Sequence, residues 1–175
     1  MFADLLKVFQ SRKMSALIFL GFSSGLPLYL TSQTLQAWMT KENIDLAAIG
    51  LFSLVGIPYS LKFLWAPILD RFVPPFLGRR RGWLVIAQIG LFLAITGMGL
   101  QDPRTALVLL AINALFIAFF SATQDIAADA YRTDVLEIPE MGAGVAIFVL
   151  GYRLALLTTG ALALISVSYT HLRAH

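Results

Sequence analysis

Cysteine is absent from the 175 residues, so neither a disulfide framework nor a thiolate metal site is available. Histidine is nearly absent too. His171 and His175 both fall in the last five residues, which excludes a histidine-centred active site in the body of the chain. Charge is the third scarcity: 13% of residues are charged, against about 25% in an ordinary soluble domain. What replaces it is apolar, with 58% hydrophobic residues and a mean hydropathy of +0.79. Such a chain lacks the polar surface to cover a water-soluble globule, so lipid is its implied solvent. The net charge of +3 would suggest nucleic acid in a soluble protein. Here the basic residues gather in a few loops, which is a topology signal, so no nucleic-acid partner is expected, and no cofactor or metal either.

Long uncharged runs are what the sequence has in abundance. After an N-terminal segment 1–13, the pattern predicts helices at about 14–40, 46–69, 82–101, 105–130 and 141–166. Each is near the ~20 residues that a spanning helix needs. The first run is too long for the apolar core of a secretory signal, roughly 7–15 residues, and reads as a retained helix. None alternates with the period of two that a barrel strand requires. A helix satisfies its own backbone in lipid, so the expected fold class is an all-α integral membrane bundle of five transmembrane helices. Lys7, Arg12, Lys13, Arg71, Arg79, Arg80 and Arg81 lie at one end, against Lys41 and Arg104 at the other. By the positive-inside rule, the N-terminus and the arginine-rich loop are expected in the cytoplasm. Five spans complete no pair of repeats of the kind from which many transporters are built, so the chain reads as a partial bundle that does not transport alone. The tail SVSYTHLRAH changes character, and 168–175 is expected to be a non-native continuation.

Charges inside spans are the strongest functional signal, because each costs roughly 2.5–3.5 kcal/mol at the bilayer centre. Lys62, Asp125 and Arg153 are those charges. Arg153 lies ~18 Å into its helix, near the midplane, and Lys62 ~12 Å from the Asp70 end. Lys62 and Asp125 are placed at heights that allow a pair. Two readings stand: a buried pair that fixes packing, or a contact for a substrate anion or a proton. Asp125, Asp129 and Arg132 share one helix face, with Asp134 on another. A carboxylate in a partly desolvated cavity suits reversible protonation. Asp125, the deeper, is favoured as the proton-linked group, with Asp129 next. Gly21 and Gly25 have the spacing for close helix contact. Pro27 is expected to kink the helix near Ser23 and Ser24. Gln33 and Gln36 suit either a cavity lining or interhelical hydrogen bonds. Asp70 is expected to pair with Arg132 as a gate. An intramembrane metal enzyme using Asp125 and Asp129 is disfavoured, because helix four lacks the further aspartates such sites need; no enzyme activity is expected.

The segments GFSSGLPLYLTSQTLQAWM, KFLWAPILDRFVPPFLGRRRGW, SATQDIAADAYRTDVL and GAGVAIFVLGYRLALL, in this order and spacing, resemble the AmpG-type bacterial muropeptide permeases of the major facilitator superfamily. The resemblance runs from about residue 6 to Leu164. It implies a multi-pass protein of the bacterial inner membrane that imports anhydro-muropeptides with protons, serving cell-wall recycling and β-lactamase induction. It also implies that a C-terminal half of the same transporter completes the fold. The Asp70-Arg71 pair and the following Gly78-Arg79-Arg80 are similar to the superfamily's gating loop between helices two and three. This chain departs from that pattern in the insertion Phe72 to Leu77 and in Pro67, where the general pattern has glycine. For such a substrate, Lys62 and Arg153 would neutralise carboxylates. Gln33, Gln36, Tyr29 and Tyr152 would bond its sugar and peptide groups, and Asp125 or Asp129 would carry the proton. The rivals are a transporter of another anion, such as acetyl-CoA, and a non-transporting membrane sensor or assembly protein.

Overall fold

A computed structural model describes the backbone of residues 11–172 and the side chains of residues 11–161. Five helices are long and apolar enough to cross a membrane. They are α1 (Arg12–Lys41), α2 (Leu46–Leu64), α4 (Gly78–Gly99), α5 (Leu107–Val135) and α6 (Met141–Leu172), with a short α3 (Ala66–Arg71) continuing the line of α2. No strand occurs among the described residues. The last helix runs on to Leu172, since nothing between Ala161 and Leu172 is a proline or glycine to stop it. Residues 173–175 of the tail lie outside the described residues.

Local chemistry sets the helix starts and irregularities. Ser11 caps α1 by accepting from the Met14 amide at 3.3 Å. Asp45 does the same for α2 through Ala47 at 3.1 Å. The break expected at Ser23 and Ser24 falls later. The α1 backbone stays regular through Pro27 to Tyr29, then widens into one π turn at Leu30–Thr34. There the Thr31 hydroxyl donates to the Pro27 carbonyl at 3.0 Å, and Ser32 to that of Leu28 at 2.7 Å. These hydroxyls compete with backbone N–H groups for the Pro27 and Leu28 carbonyls, which favours the wider turn there. Helix α2 is more broken still. It switches to 3₁₀ at Phe52–Gly56 and again at Lys62–Leu64, in a stretch that holds Gly50, Gly56 and Pro58.

Packing divides the bundle. α1 lies along α6, α4 along α5, and α1 also touches α5. The α1–α6 seam is bare backbone. A side chain at Gly21 would strike the Phe148 carbonyl, one at Gly25 the Tyr152 carbonyl, and one at Gly151 the Ile18 carbonyl. Close approach of this kind is how helices bind in lipid, where the hydrophobic effect cannot drive them together. One apolar cluster joins Leu35 and Met39 of α1 to Phe52 and Val55 of α2, Leu91 of α4 and Ile117 of α5. Smaller clusters centre on Leu17 with Ile147 and on Leu84 with Ala128. α2 contributes little else to the interior, and Leu51, Leu54, Phe63 and Leu64 all point outward.

Candidate functional site

A polar layer interrupts this apolar interior where α1, α2, α5 and α6 converge. One face of α5 presents Ser121, Gln124 and Asp125, at the i, i+3, i+4 spacing that stacks side chains together. Ser121 and Gln124 are buried and Asp125 is half-buried. From α1, the Ser23 hydroxyl accepts from the Gln124 amide at 2.9 Å and donates to the Leu20 carbonyl at 3.1 Å. The neighbouring Ser24 hydroxyl lies beside Asp125. α2 brings the Tyr59 hydroxyl next to Ser121, with Lys62 within electrostatic reach of Asp125. α6 brings Tyr152 within the same reach. Four buried atoms here have no hydrogen-bond partner: the hydroxyls of Ser24, Ser121 and Tyr59, and the Gln124 carbonyl oxygen. Just past α2, Trp65 stacks on Phe119 at 5.0 Å and donates its indole N–H to Thr123 at 3.2 Å, fixing the height of this face.

The charges inside the spans are distributed unequally. Lys62 approaches Asp125 without forming an ion pair with it. Asp129 takes Arg132 as its partner, at 3.1 Å one turn away, while the Arg132 guanidinium sits 5.1 Å over the Phe148 ring. Arg153 is exposed on α6. It lines a recess of about 710 Å³ together with Tyr29, Tyr152, Val149, Leu156 and Leu157. Three residues expected to meet substrate are thus brought together. Gln36 lines a separate recess of about 180 Å³, with Thr31, Ser32, Ser53 and Tyr59. Gln33 is exposed and joins neither recess.

At the arginine-rich end, Asp70 is paired with Arg80, not with Arg132 as expected. Arg80 also binds Asp134 at 2.9 Å, so one guanidinium ties α3, α4 and α5. The reason is geometric. Arg80 stands in the first turn of α4, between two carboxylates, whereas Arg132 faces inward to Asp129 and Phe148. Arg71 and Arg79 are exposed. Lys13 reaches Glu140 at 3.4 Å, linking the start of α1 to that of α6.

Sequence reasoning did not single out Tyr59, Ser121 or Gln124, and took Ser23 and Ser24 only as a bend. The signal was present: polar residues inside apolar runs, two of them, Ser121 and Gln124, at helical spacing beside Asp125. Among the described residues, no group of three or more His, Cys, Asp or Glu is arranged to hold a metal ion.

Comparison with known proteins agrees with the motifs. The chain is 58% identical over 164 residues to the anhydromuropeptide permease of Escherichia coli K12, an alignment covering 94% of this chain and 33% of the permease. The permease of Escherichia coli O157:H7 matches with the same figures. An uncharacterized protein of Haemophilus influenzae is 49% identical, with 88% of this chain and 36% of that protein covered. The chain spans about a third of the length of the curated relatives it matches. The two Escherichia coli relatives are named as permeases. The described residues of this chain form an all-α bundle with five helices long and apolar enough to cross a membrane. Since residues 13–104, more than half of the sequence, match the family model described as acetyl-coenzyme A transporter 1, the chain belongs to that transporter family.

Proposed function

We propose that this chain forms part of a proton-coupled importer that carries anhydro-muropeptides across the bacterial inner membrane, for cell-wall recycling and β-lactamase induction. The observation that carries the reading is the 58% identity to a protein named anhydromuropeptide permease along nearly the whole of this chain. The seven Lys/Arg at one end against two at the other support a cytoplasmic N-terminus. A second bundle of the same transporter faces this one across the substrate, and lipid covers the outward side chains of α2.

The geometry fits that chemistry. A muropeptide carries carboxylates, hydroxyls and amides. The Tyr29, Tyr152 and Arg153 recess offers one guanidinium for a carboxylate and two phenols for sugar or peptide groups. Lys62 supplies a second cation near the polar layer. Asp125 is the proton carrier. A group that changes charge during a transport cycle must not be locked by a permanent counter-ion; Asp129 has one in Arg132, and Asp125 has none. Arg80, with Asp70 and Asp134, is the gate at the cytoplasmic end.

In the full-length transporter, Asp125→Asn is expected to abolish proton-driven uptake of labelled anhydro-muropeptide while leaving the protein in the membrane. Normal uptake down a proton gradient in that variant would sink the assignment. The family model's description favours one second reading, an acetyl-CoA-like anion as cargo. Competition separates the two: excess coenzyme A thioester should leave muropeptide uptake unchanged, whereas blocking it would support the second reading.

A further inference from the structure

Asp125 lies within electrostatic reach of two tyrosines that line two different recesses. Tyr152 lines the larger recess, with Tyr29 and Arg153. Tyr59 lines the smaller recess, with Thr31, Ser32, Gln36, Ser53, Leu28 and Phe52. That smaller recess is mostly apolar, with the hydroxyls of Thr31, Ser32, Ser53 and Tyr59, one amide and, among its lining residues, no charge; all of these hydroxyls but that of Tyr59 donate to backbone carbonyls. Near Asp125 lie the buried hydroxyls of Tyr59 and Ser121, close to one another, with that of Ser24 and the Gln124 carbonyl oxygen, none of them in a well-formed hydrogen bond. Buried polar atoms in folded proteins are almost always satisfied, and where protein supplies no partner, water does. A cluster of such oxygens between a recess that Tyr59 lines and a carboxylate has the form of a hydrogen-bonded water chain.

We infer that the Thr31, Ser32, Gln36 and Ser53 recess is the proton's own way in, and that Tyr59 and Ser121 relay it through ordered water to Asp125. The substrate then occupies the Tyr152 recess, and the two ligands reach one carboxylate from different sides. The inference rests on Asp125 as proton carrier and adds the route. The groups facing Asp125 are Ser24 from α1, Tyr59 and Lys62 from α2, Asp129 on its own helix and Tyr152 from α6. Of these, only Tyr59 opens onto the smaller recess. In the relay a proton enters from water in the recess. The Tyr59 hydroxyl passes its own proton to the Ser121 side and takes up the incoming one, so no net charge stays on either hydroxyl.

The test separates net proton-driven movement from exchange, which needs no net proton flow. In the full-length transporter, Tyr59→Phe is expected to slow uptake driven by an imposed pH gradient at least about tenfold. Exchange of labelled for unlabelled anhydro-muropeptide should stay within about twofold of the unaltered protein. Ser121→Ala, which removes one buried hydroxyl and adds no bulk, should show the same split and serves if Tyr59→Phe fails to fold. Tyr152→Phe should show the reverse, with weaker binding and retained coupling. Equal loss of both activities in Tyr59→Phe and Ser121→Ala, or full pH-driven uptake in both, overturns the route. Uptake that follows a sodium gradient at constant pH would assign the oxygen cluster to a metal cation and overturn it as well. An inactive Asp125→Asn beside a fully active Tyr59→Phe removes the route alone; an active Asp125→Asn removes the proton carrier on which it rests.

Discussion

The α1–α6 seam and helix α2 belong to one bundle and are held by opposite means. At the seam, Gly21, Gly25 and Gly151 let two backbones meet, and the fit is steric. α2 has open space around Gly50 and Gly56, an irregular backbone and mostly outward apolar side chains. It is fastened by polar contacts: Trp65 to Thr123 just past its end, Tyr59 and Lys62 facing α5, and ion pairs beyond both ends. Steric interlocking gives a pair of helices that stays together. Polar fastening gives one that can let go and re-form, since each contact is modest and exchangeable with water. The polar layer sits where the loosely held helix meets the rigid ones.

The sharpest way to break that contrast is to put the same kind of change on both sides. Gly151→Leu or Gly21→Leu drives a side chain into a facing carbonyl that cannot retreat, and should cost about 3 kcal/mol. Thermal melting of the detergent-solubilised full-length protein should show a large drop or no folded protein. Gly50→Ala meets nothing within 4 Å, and should be neutral or stabilising by less than about 1 kcal/mol. If both substitutions melt alike, the seam is not steric.

Much of this contrast was legible in the sequence, and the illegible part has a common cause. Five apolar runs bounded by charge announce five helices, and Gly21 with Gly25 announces a close contact, because length, charge and glycine spacing are one-dimensional. Which cation meets which carboxylate is not. Asp70 had Arg71, Arg79, Arg80, Arg81 and Arg132 to choose among at comparable heights, and the first-turn position of Arg80 decided it. Depth places Arg153 near the midplane, but depth alone says nothing about which way a helix is rotated, and so not which recess it lines. Tyr59 and Ser121 were passed over because a lone hydroxyl in an apolar run carries no charge penalty to flag it. The α2 breaks at Phe52–Gly56 and Lys62–Leu64 depend on Gly56 and Pro58 acting with tertiary packing.

Of the polar fasteners, Arg80 should matter most. Its side chain is 23% exposed, and its partners Asp70 and Asp134 are 56% and 54% exposed, so water and salt already weaken both pairs. Arg80→Ala should therefore destabilise by about 1 kcal/mol, and less as salt rises. Arg79→Ala next to it, exposed and in none of the ion pairs, is the control and should change nothing measurable. An Arg80 loss that ignores salt would mean that the residue packs as a stem and does not fasten as a charge.

The smallest effect belongs at the opposite end, where Glu42 and Arg104 join the loop before α2 to the loop before α5 at 2.8 Å. Arg104 is 61% exposed and Glu42 26%. A single rim pair of this kind contributes about 0.5 kcal/mol, because a long side chain must be ordered to make it. Arg104 has a second anchor in its own loop, where its backbone N–H donates to the Asp102 carboxylate at 2.9 Å. The loop therefore keeps its shape when the pair is cut. A double-mutant cycle on Glu42→Gln and Arg104→Gln should return a coupling of about 0.5 kcal/mol that vanishes in molar salt. A coupling several times larger, or one indifferent to salt, would mean that α2 is pinned at this end as firmly as α1 is to α6. The difference between the two regions would then be confined to the Arg80 end and the polar layer.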